Sequence, residues 1–246
     1  MAGKVIAVIP ARLGSSRFPG KVLYPLNGKP LLYHVWRRVS RAKLLDRVLI
    51  ATDNADIQDA AAAFGAEVVR TSSRHRTGSD RVAEVAAKNP GAIYINIQGD
   101  NFGLKPQVLD RVVALMQADS RMSCATLARS LTSSADLFDP NTVKVIVARD
   151  GRALWFSRWP LPYLRGSKEG ASVAGFSYLS HIGVYFFRRG LLQAFGGWKR
   201  SPQEKAESLE QLRILENGYN IQVVRTSMKT VSVDTPADID KIARLA

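Results

Sequence analysis

Residues 5–21 read Val5-Ile6-Ala7-Val8-Ile9-Pro10-Ala11-Arg12-Leu13-Gly14-Ser15-Ser16-Arg17-Phe18-Pro19-Gly20-Lys21. The apolar run that opens this stretch is mostly β-branched and predicts a strand buried on both faces. It stops at Pro10, which has no N–H to give to a sheet ladder. Small residues interspersed with cations follow. Small residues let backbone N–H groups approach an anion closely, and Arg12, Arg17 and Lys21 supply positive charge. The spacing matches neither GxGxxG nor GxxxxGK[ST]. A plain turn, with its cations in solvent, fits the same residues.

Outward from this stretch, residues 47–52, 66–69 and 92–98 read as further strands. Residues 31–43, 55–64 and 79–88 read as the helices between them, with Gly65 placed to end the second. Strands alternating with helices predict an α/β fold, a Rossmann-like, mostly parallel sheet flanked by helices. Residues 143–148 and 153–156 flank Arg149-Asp150-Gly151-Arg152, whose Asp-Gly pair signals a hairpin and a small antiparallel excursion. Residues 165–177, rich in Gly, Ser and charge, predict a mobile surface loop. A strand resumes over 181–187. Ser201-Pro202-Gln203-Glu204 combines an N-cap, an N1 proline and a capping-box acid, predicting one long helix through 215 that Gly218 ends. A strand over 221–224 and a terminal helix opened by Thr235-Pro236-Ala237-Asp238 and running to 245 complete the pattern. No repeat and no linker divides the chain, so a single domain over 1–246 is expected.

With 46% hydrophobic residues the chain can bury a sizeable core. Its apolar runs fall far short of the roughly 20 residues that span a bilayer, and the N-terminal run breaks at Pro10-Ala11-Arg12 too early for a secretory leader. A cytoplasmic protein without membrane insertion is expected. The single Cys124 excludes an internal disulfide and a cysteine metal site, and its neighbours make it core. The 35 Lys and Arg against 21 Asp and Glu leave a formal charge of +14, which attracts anions. The basic residues are dispersed, and no helix-turn-helix, zinc-ligand or aromatic RNA-binding motif occurs, so specific nucleic-acid binding is not expected.

Further landmarks follow the first loop in order. They are Asn27-Gly28-Lys29-Pro30, Ala51-Thr52-Asp53, Thr77-Gly78-Ser79-Asp80-Arg81, Gln98-Gly99-Asp100, Phe138-Asp139-Pro140-Asn141, Phe156-Ser157-Arg158, His181-Ile182-Gly183-Val184-Tyr185, Glu207-Ser208-Leu209-Glu210-Gln211-Leu212-Arg213 and Val233-Asp234-Thr235-Pro236. Asp100 falls just past the carboxyl end of a predicted strand, the edge where α/β sheets bind ligands. Read alone, Asp100 serves equally as a solvated turn residue and Asp234 as a helix cap. As an ordered set, the landmarks resemble the 3-deoxy-manno-octulosonate cytidylyltransferases, or CMP-3-deoxy-manno-octulosonate synthetases, nearly end to end.

That resemblance implies the nucleotide-diphospho-sugar transferase fold, with a nucleotide-binding part in residues 1–125 and a sugar-binding part in 140–215. It implies transfer of CMP from CTP to the anomeric hydroxyl of an acidic keto sugar, 3-deoxy-manno-octulosonate, for lipopolysaccharide or a related surface polysaccharide. Asp100 and Asp234 would hold the catalytic Mg²⁺, a hard cation that takes carboxylate and phosphate oxygens. Arg12, Arg17 and Lys21 would steady the leaving pyrophosphate. Pro10, Ala11, Gly14 and Ser15 would complete the triphosphate loop with Gln98 and Asp100, and Arg74 and Ser79 would lie near the cytosine. Gln98, Arg158, His181, Tyr185, Glu210 and Gln211 would surround the acid, Arg158 suited to its carboxylate and the others to its hydroxyls. Side chains of consecutive residues such as Glu210 and Gln211 diverge by about 100° on a helix, which leaves one of them for packing or solvent. A homodimer is compatible with the resemblance.

One segment departs from it. The family continues Gln-Gly-Asp with Glu-Pro, whereas this chain reads Gln98-Gly99-Asp100-Asn101-Phe102-Gly103. One negative charge beside the metal aspartate is lost, and Gly103 loosens a turn that proline would stiffen. The departure leaves open an amino-substituted octulosonate, another acidic keto acid or phosphonate, or a paralogue that binds nucleotide without turnover.

Overall fold

The structure, a computed structural model, describes residues 3–14, 18–165, 176–233 and 235–243. The expectations placed on Ser15, Ser16, Arg17, Asp234, residues 166–175 and residues 244–245 of the terminal helix lie outside that set.

Val5–Pro10 is the strand the apolar run predicts, and it pairs in parallel with Arg47–Thr52 and Ile93–Ile97. Arg47–Thr52 pairs in turn with Glu67–Arg70. Because side chains alternate across a strand, Val5, Ala7 and Ile9 join one core layer and Ile6 and Val8 the other. All five are at most 1% exposed, and each Val or Ile buried this way contributes about 1.5–3 kcal/mol. Leu31–Val39, Ala55–Ala63 and Pro106–Ala118 supply the first layer, and Gly78–Lys88 and Arg189–Gly197 the second.

The sheet then changes direction. Leu179–Arg188 runs antiparallel to Ile93–Ile97 on one side and to Cys124–Ser130 on the other, and Gln222–Arg225 joins the latter in parallel. The hairpin of Lys144–Val147 and Ala153–Ser157 attaches where Ser180 meets Lys144, and Gly151 at φ 86° makes its turn. Nine strands form the sheet among the described residues. The sequence reading did not anticipate Pro106–Ala118, Cys124–Ser130 or the short helix Ser134–Phe138. Cys124 is buried, as expected.

Two predicted helices are cut short by side chains from elsewhere in the chain. The first ends at Val39 rather than residue 43, because the backbone N–H groups of Lys43 and Leu44 bond to the Asp110 carboxylate at 3.0 and 2.8 Å. The long helix predicted through 215 is two, Pro202–Glu207 and Leu212–Glu216, separated by Ser208 in the left-handed region at φ 53°. Its capping box forms as predicted, but Arg158 takes the carbonyls of Glu207 (Nε to O, 2.6 Å) and Ser208 (3.4 Å) that helix continuation would use.

Candidate active site

A cleft of about 730 Å³ opens above the carboxyl ends of the parallel strands. Pro10, Ala11, Arg12, Gln98, Asp100, Arg158, His181, Tyr185, Glu210 and Gln211 all line it, so most of the implied site residues converge from distant parts of the chain.

Its floor is built where the first strand ends. Gly20, at φ 70°, turns the loop into a short helical turn, Lys21–Leu23. Lys21 Nζ then forms an ion pair with Asp100 Oδ2 and donates to Val233 O at 2.7 Å. Val233 N–H donates to the Asp100 carbonyl at 3.1 Å, and Val231 and Ser232 pair antiparallel with Phe102 and Asn101. The segment leading into Asp234 is therefore stitched directly to Asp100. Gly103 belongs to the same seam. A Cβ there would lie 2.6 Å from Lys229 O, and its φ of 84° disfavours any other residue. Asp100 is 18% exposed on its side chain and pairs with Lys21, so at the floor the two charges offset one another. Its oxygen donors suit Mg²⁺.

The opposite wall is shaped by a bulge in Leu179–Arg188, between Ile182 and Tyr185, that re-aims the strand toward the cleft. Thr126 Oγ donates to Val184 O at 2.8 Å, so its lone pairs accept from His181 Nε2 at 2.9 Å. That assigns the proton of His181 to Nε2 and leaves Nδ1 as an acceptor. Burial pulls the His181 pKa down to about 3, so the ring is neutral at physiological pH. Tyr185 OH donates to Gln211 Oε1 at 2.8 Å, and Gln211 Nε2 has no partner among the described residues. A buried amide donor lining a cleft is matched by a ligand oxygen.

Glu210 accepts from Ser79 N–H at 3.0 Å, and burial, partly offset by hydrogen bonds from Ser79 and Thr77, raises its pKa. The Ser79 hydroxyl accepts from Asn96 Nδ2 at 3.0 Å. Ser79 thus lies beneath the cleft as a support, Arg74 stands outside it on the surface, and Arg76 and Thr77 line it instead. Gln98 fits because residue 78 is glycine. A Cβ there would lie 2.7 Å from Gln98 Nε2. The divergence expected of Glu210 and Gln211 does not arise, since both lie in the turn between the two short helices and both line the cleft.

Arg158 is more constrained than its carboxylate role implies. Three of its five N–H groups go to backbone carbonyls, those of Glu207, Pro140 (2.8 Å) and Ser208, leaving two for a ligand. Glu207 holds this arrangement by accepting from Ser157 Oγ at 2.6 Å and Arg158 N–H at 2.9 Å. Thr126 was not singled out from sequence, and Glu207 stood there only as the first residue of a landmark, with no role given to it. Their roles depend on cross-sheet neighbours and leave no local pattern.

The cytidylyltransferase family model matches residues 6–240. A 3-deoxy-manno-octulosonate cytidylyltransferase from Geobacter metallireducens is 45% identical, over 97% of this chain and 96% of its own length. The chain belongs to the 3-deoxy-manno-octulosonate cytidylyltransferase family. A solved CMP:2-keto-3-deoxy-manno-octonic acid synthetase complexed with CTP matches at 40% identity and a TM-score of 0.90, covering 98% of both chains. A cytidylyltransferase from Leptospira borgpetersenii shares the fold at 17% identity and a TM-score of 0.62, over 99% of this chain and 88% of that one. Membership accounts for the parallel half of the sheet, the antiparallel half and the cleft between them as one inherited architecture. No helix among the described residues is long and apolar enough to cross a membrane.

Proposed function

We propose that the chain transfers CMP from CTP to the anomeric hydroxyl of 3-deoxy-manno-octulosonate, releasing pyrophosphate. The observation that carries this reading is the cleft's polarity. Cations, Arg12, Arg76 and Arg81 in its lining with Lys21 paired to Asp100 at its floor, share it with neutral hydrogen-bonding groups, His181, Tyr185 and Gln211. A triphosphate fits the first and a polyhydroxy acid the second.

In this reading the anomeric oxygen forms a bond to the α-phosphorus, the bond from that phosphorus to the α,β-bridging oxygen breaks, and the hydroxyl proton leaves to solvent. Alignment and charge neutralisation supply the acceleration. Arg12 and Lys21, joined by Arg17, hold the β- and γ-phosphates and meet the charge that grows on pyrophosphate. His181 Nδ1 accepts from a sugar hydroxyl, Gln211 Nε2 donates to a sugar oxygen, Glu210 accepts from another hydroxyl, and the two remaining N–H groups of Arg158 face the carboxylate. Asp100 and Asp234 would hold Mg²⁺, which when bound lowers the pKa of the attacking hydroxyl and offsets phosphate charge. The same reading places the protein in the cytoplasm, where CTP is made, and is compatible with a homodimer.

The test is CTP-dependent pyrophosphate release with 3-deoxy-manno-octulosonate and, in parallel, its 8-amino analogue, because Asn101 lies beside Asp100 and lines the cleft. Turnover of the unsubstituted acid is expected, falling by about 10²-fold or more in Asp100→Ala. Turnover that survives both that substitution and chelation of divalent cations would sink the metal assignment. No turnover with either acid, despite CTP binding, would sink the reaction.

A further inference from the structure

A second cleft, of about 490 Å³, lies on the far side of the Asn101 segment from the first. Residues of the helix Leu31–Val39 and the turns flanking it form one side, and Asn101, Phe102, Gly103 and Leu104 the other. Lys29, Arg37, Arg38 and Arg41 stand around it together with His34, and among the described residues no Asp or Glu lines it. These cations are arranged. Lys29 Nζ and the Arg37 guanidinium lie 5.7 and 5.8 Å from the centre of the Tyr33 ring, and Arg37 also donates to the Tyr33 hydroxyl. His34 Nε2 is bonded to Leu26 O at 2.8 Å, and its ring sits 6.4 Å from that of Phe102.

Lys29, Arg37 and Arg41 around one concavity repel each other, a cost that a polyanion removes. The volume is within the range that holds a small molecule, and the aromatic faces of Tyr33, His34 and Phe102 suit a ligand with apolar surface as well as charge. None of these cations serves the catalytic cleft, so the reaction leaves them unexplained. We propose that this second cleft is a binding site for a small polyanion of the organic polyphosphate class. Asn101 lines both clefts, and the 101–102 strand pairs with the segment beside Asp100, so a ligand there shares a wall with the catalytic floor.

The probe is inorganic tripolyphosphate without divalent cations, titrated calorimetrically into three full-length proteins. Wild type is expected to bind at two sites. Arg12→Ala/Lys21→Ala retains one of them. Arg37→Ala/Arg41→Ala loses that one, its affinity falling about ten-fold or more, while its pyrophosphate release from CTP and acid stays at the wild-type level. A control, Arg70→Ala/Arg225→Ala, removes the same charge from exposed positions that line neither cleft. If the control weakens tripolyphosphate as much, the effect is net charge and the proposal fails. It fails equally if Arg37→Ala/Arg41→Ala binds tripolyphosphate as wild type does, or loses only an oligonucleotide or anionic vesicles. Because catalysis is read separately, loss of this site and failure of the cytidylyl-transfer reading are distinguishable.

Discussion

Replacing Tyr185 with phenylalanine removes one oxygen from the sugar side of the cleft and little else. The ring keeps its neighbours, since His181 and Phe187 lie 5.4 and 6.0 Å away by ring centres, and Tyr185 is only 4% exposed. What is lost is the 2.8 Å bond to Gln211 Oε1. Gln211 is 2% exposed and its Nε2 is already unpartnered, so Tyr185→Phe leaves both ends of a buried amide without a partner. An orphaned buried acceptor costs about 1–3 kcal/mol, which for a chain of this size lowers the melting midpoint by several degrees at about 2–4 °C per kcal/mol. Gln211 is also free to rotate away from the acid. If about 1.4 kcal/mol of the cost falls on acid binding, KM for the acid rises about ten-fold. Steady-state pyrophosphate release, with acid varied at saturating CTP and then the reverse, separates the two sides of the cleft. A raised KM for CTP with an unchanged KM for the acid would refute the assignment of this wall to the sugar.

Arg213 is 2% exposed, bonded to both oxygens of Glu204 at 2.7 Å and to Asp80 at 2.8 Å, and stacked 4.1 Å from the Phe195 ring centre. Arg213→Met leaves the buried Glu204 carboxylate to the more exposed Arg200 at 3.1 Å and should cost about 3 kcal/mol in denaturant unfolding; a loss below about 1 kcal/mol would contradict the pairing. His181 titrates near 3 in the native state against about 6.5 unfolded. Below pH 6.5 the unfolded chain therefore binds the extra proton, so stability is full above that pH and falls as acid is added, by about 2 kcal/mol between pH 7 and 5. Calorimetry of His181→Gln should show a shallower loss over that interval, and an unchanged slope would count against a buried neutral ring. In Glu207→Ala, Arg158 loses the carboxylate that holds its N–H, so KM for the acid should rise while KM for CTP stays, and a change confined to CTP would misplace Arg158.

The parallel half of the fold was legible because one physical rule wrote it. A strand buried on both faces is mostly apolar, as Val5–Pro10 is and as Ile93–Ile97 is except at Asn96, whose amide bonds to the Ser79 hydroxyl. The antiparallel strand Cys124–Ser130 escaped because it carries Ala, Thr, Arg and Ser, and its burial comes from the neighbours that flank it. The helix through 215 was misread because the residues that break it, Arg158 and Glu207, act across the sheet. No window of sequence contains both partners. The same holds at the site. Asp100 and His181 were named through family resemblance, but the neutral, Nε2-protonated state of His181 follows only from Thr126, fifty-five positions away.

The seam between residues 101–103 and 229–233 also has a consequence for the order of synthesis. Every strand of the nine-stranded sheet has left the ribosome once Arg225 has emerged, yet the segment that closes against Asp100 and Lys21 is still to come. A nascent or proteolytically clipped chain ending there would carry the whole sheet and no finished catalytic floor. The protein thus delays its competence to split a nucleoside triphosphate until the segment that follows the last strand of the sheet has been made.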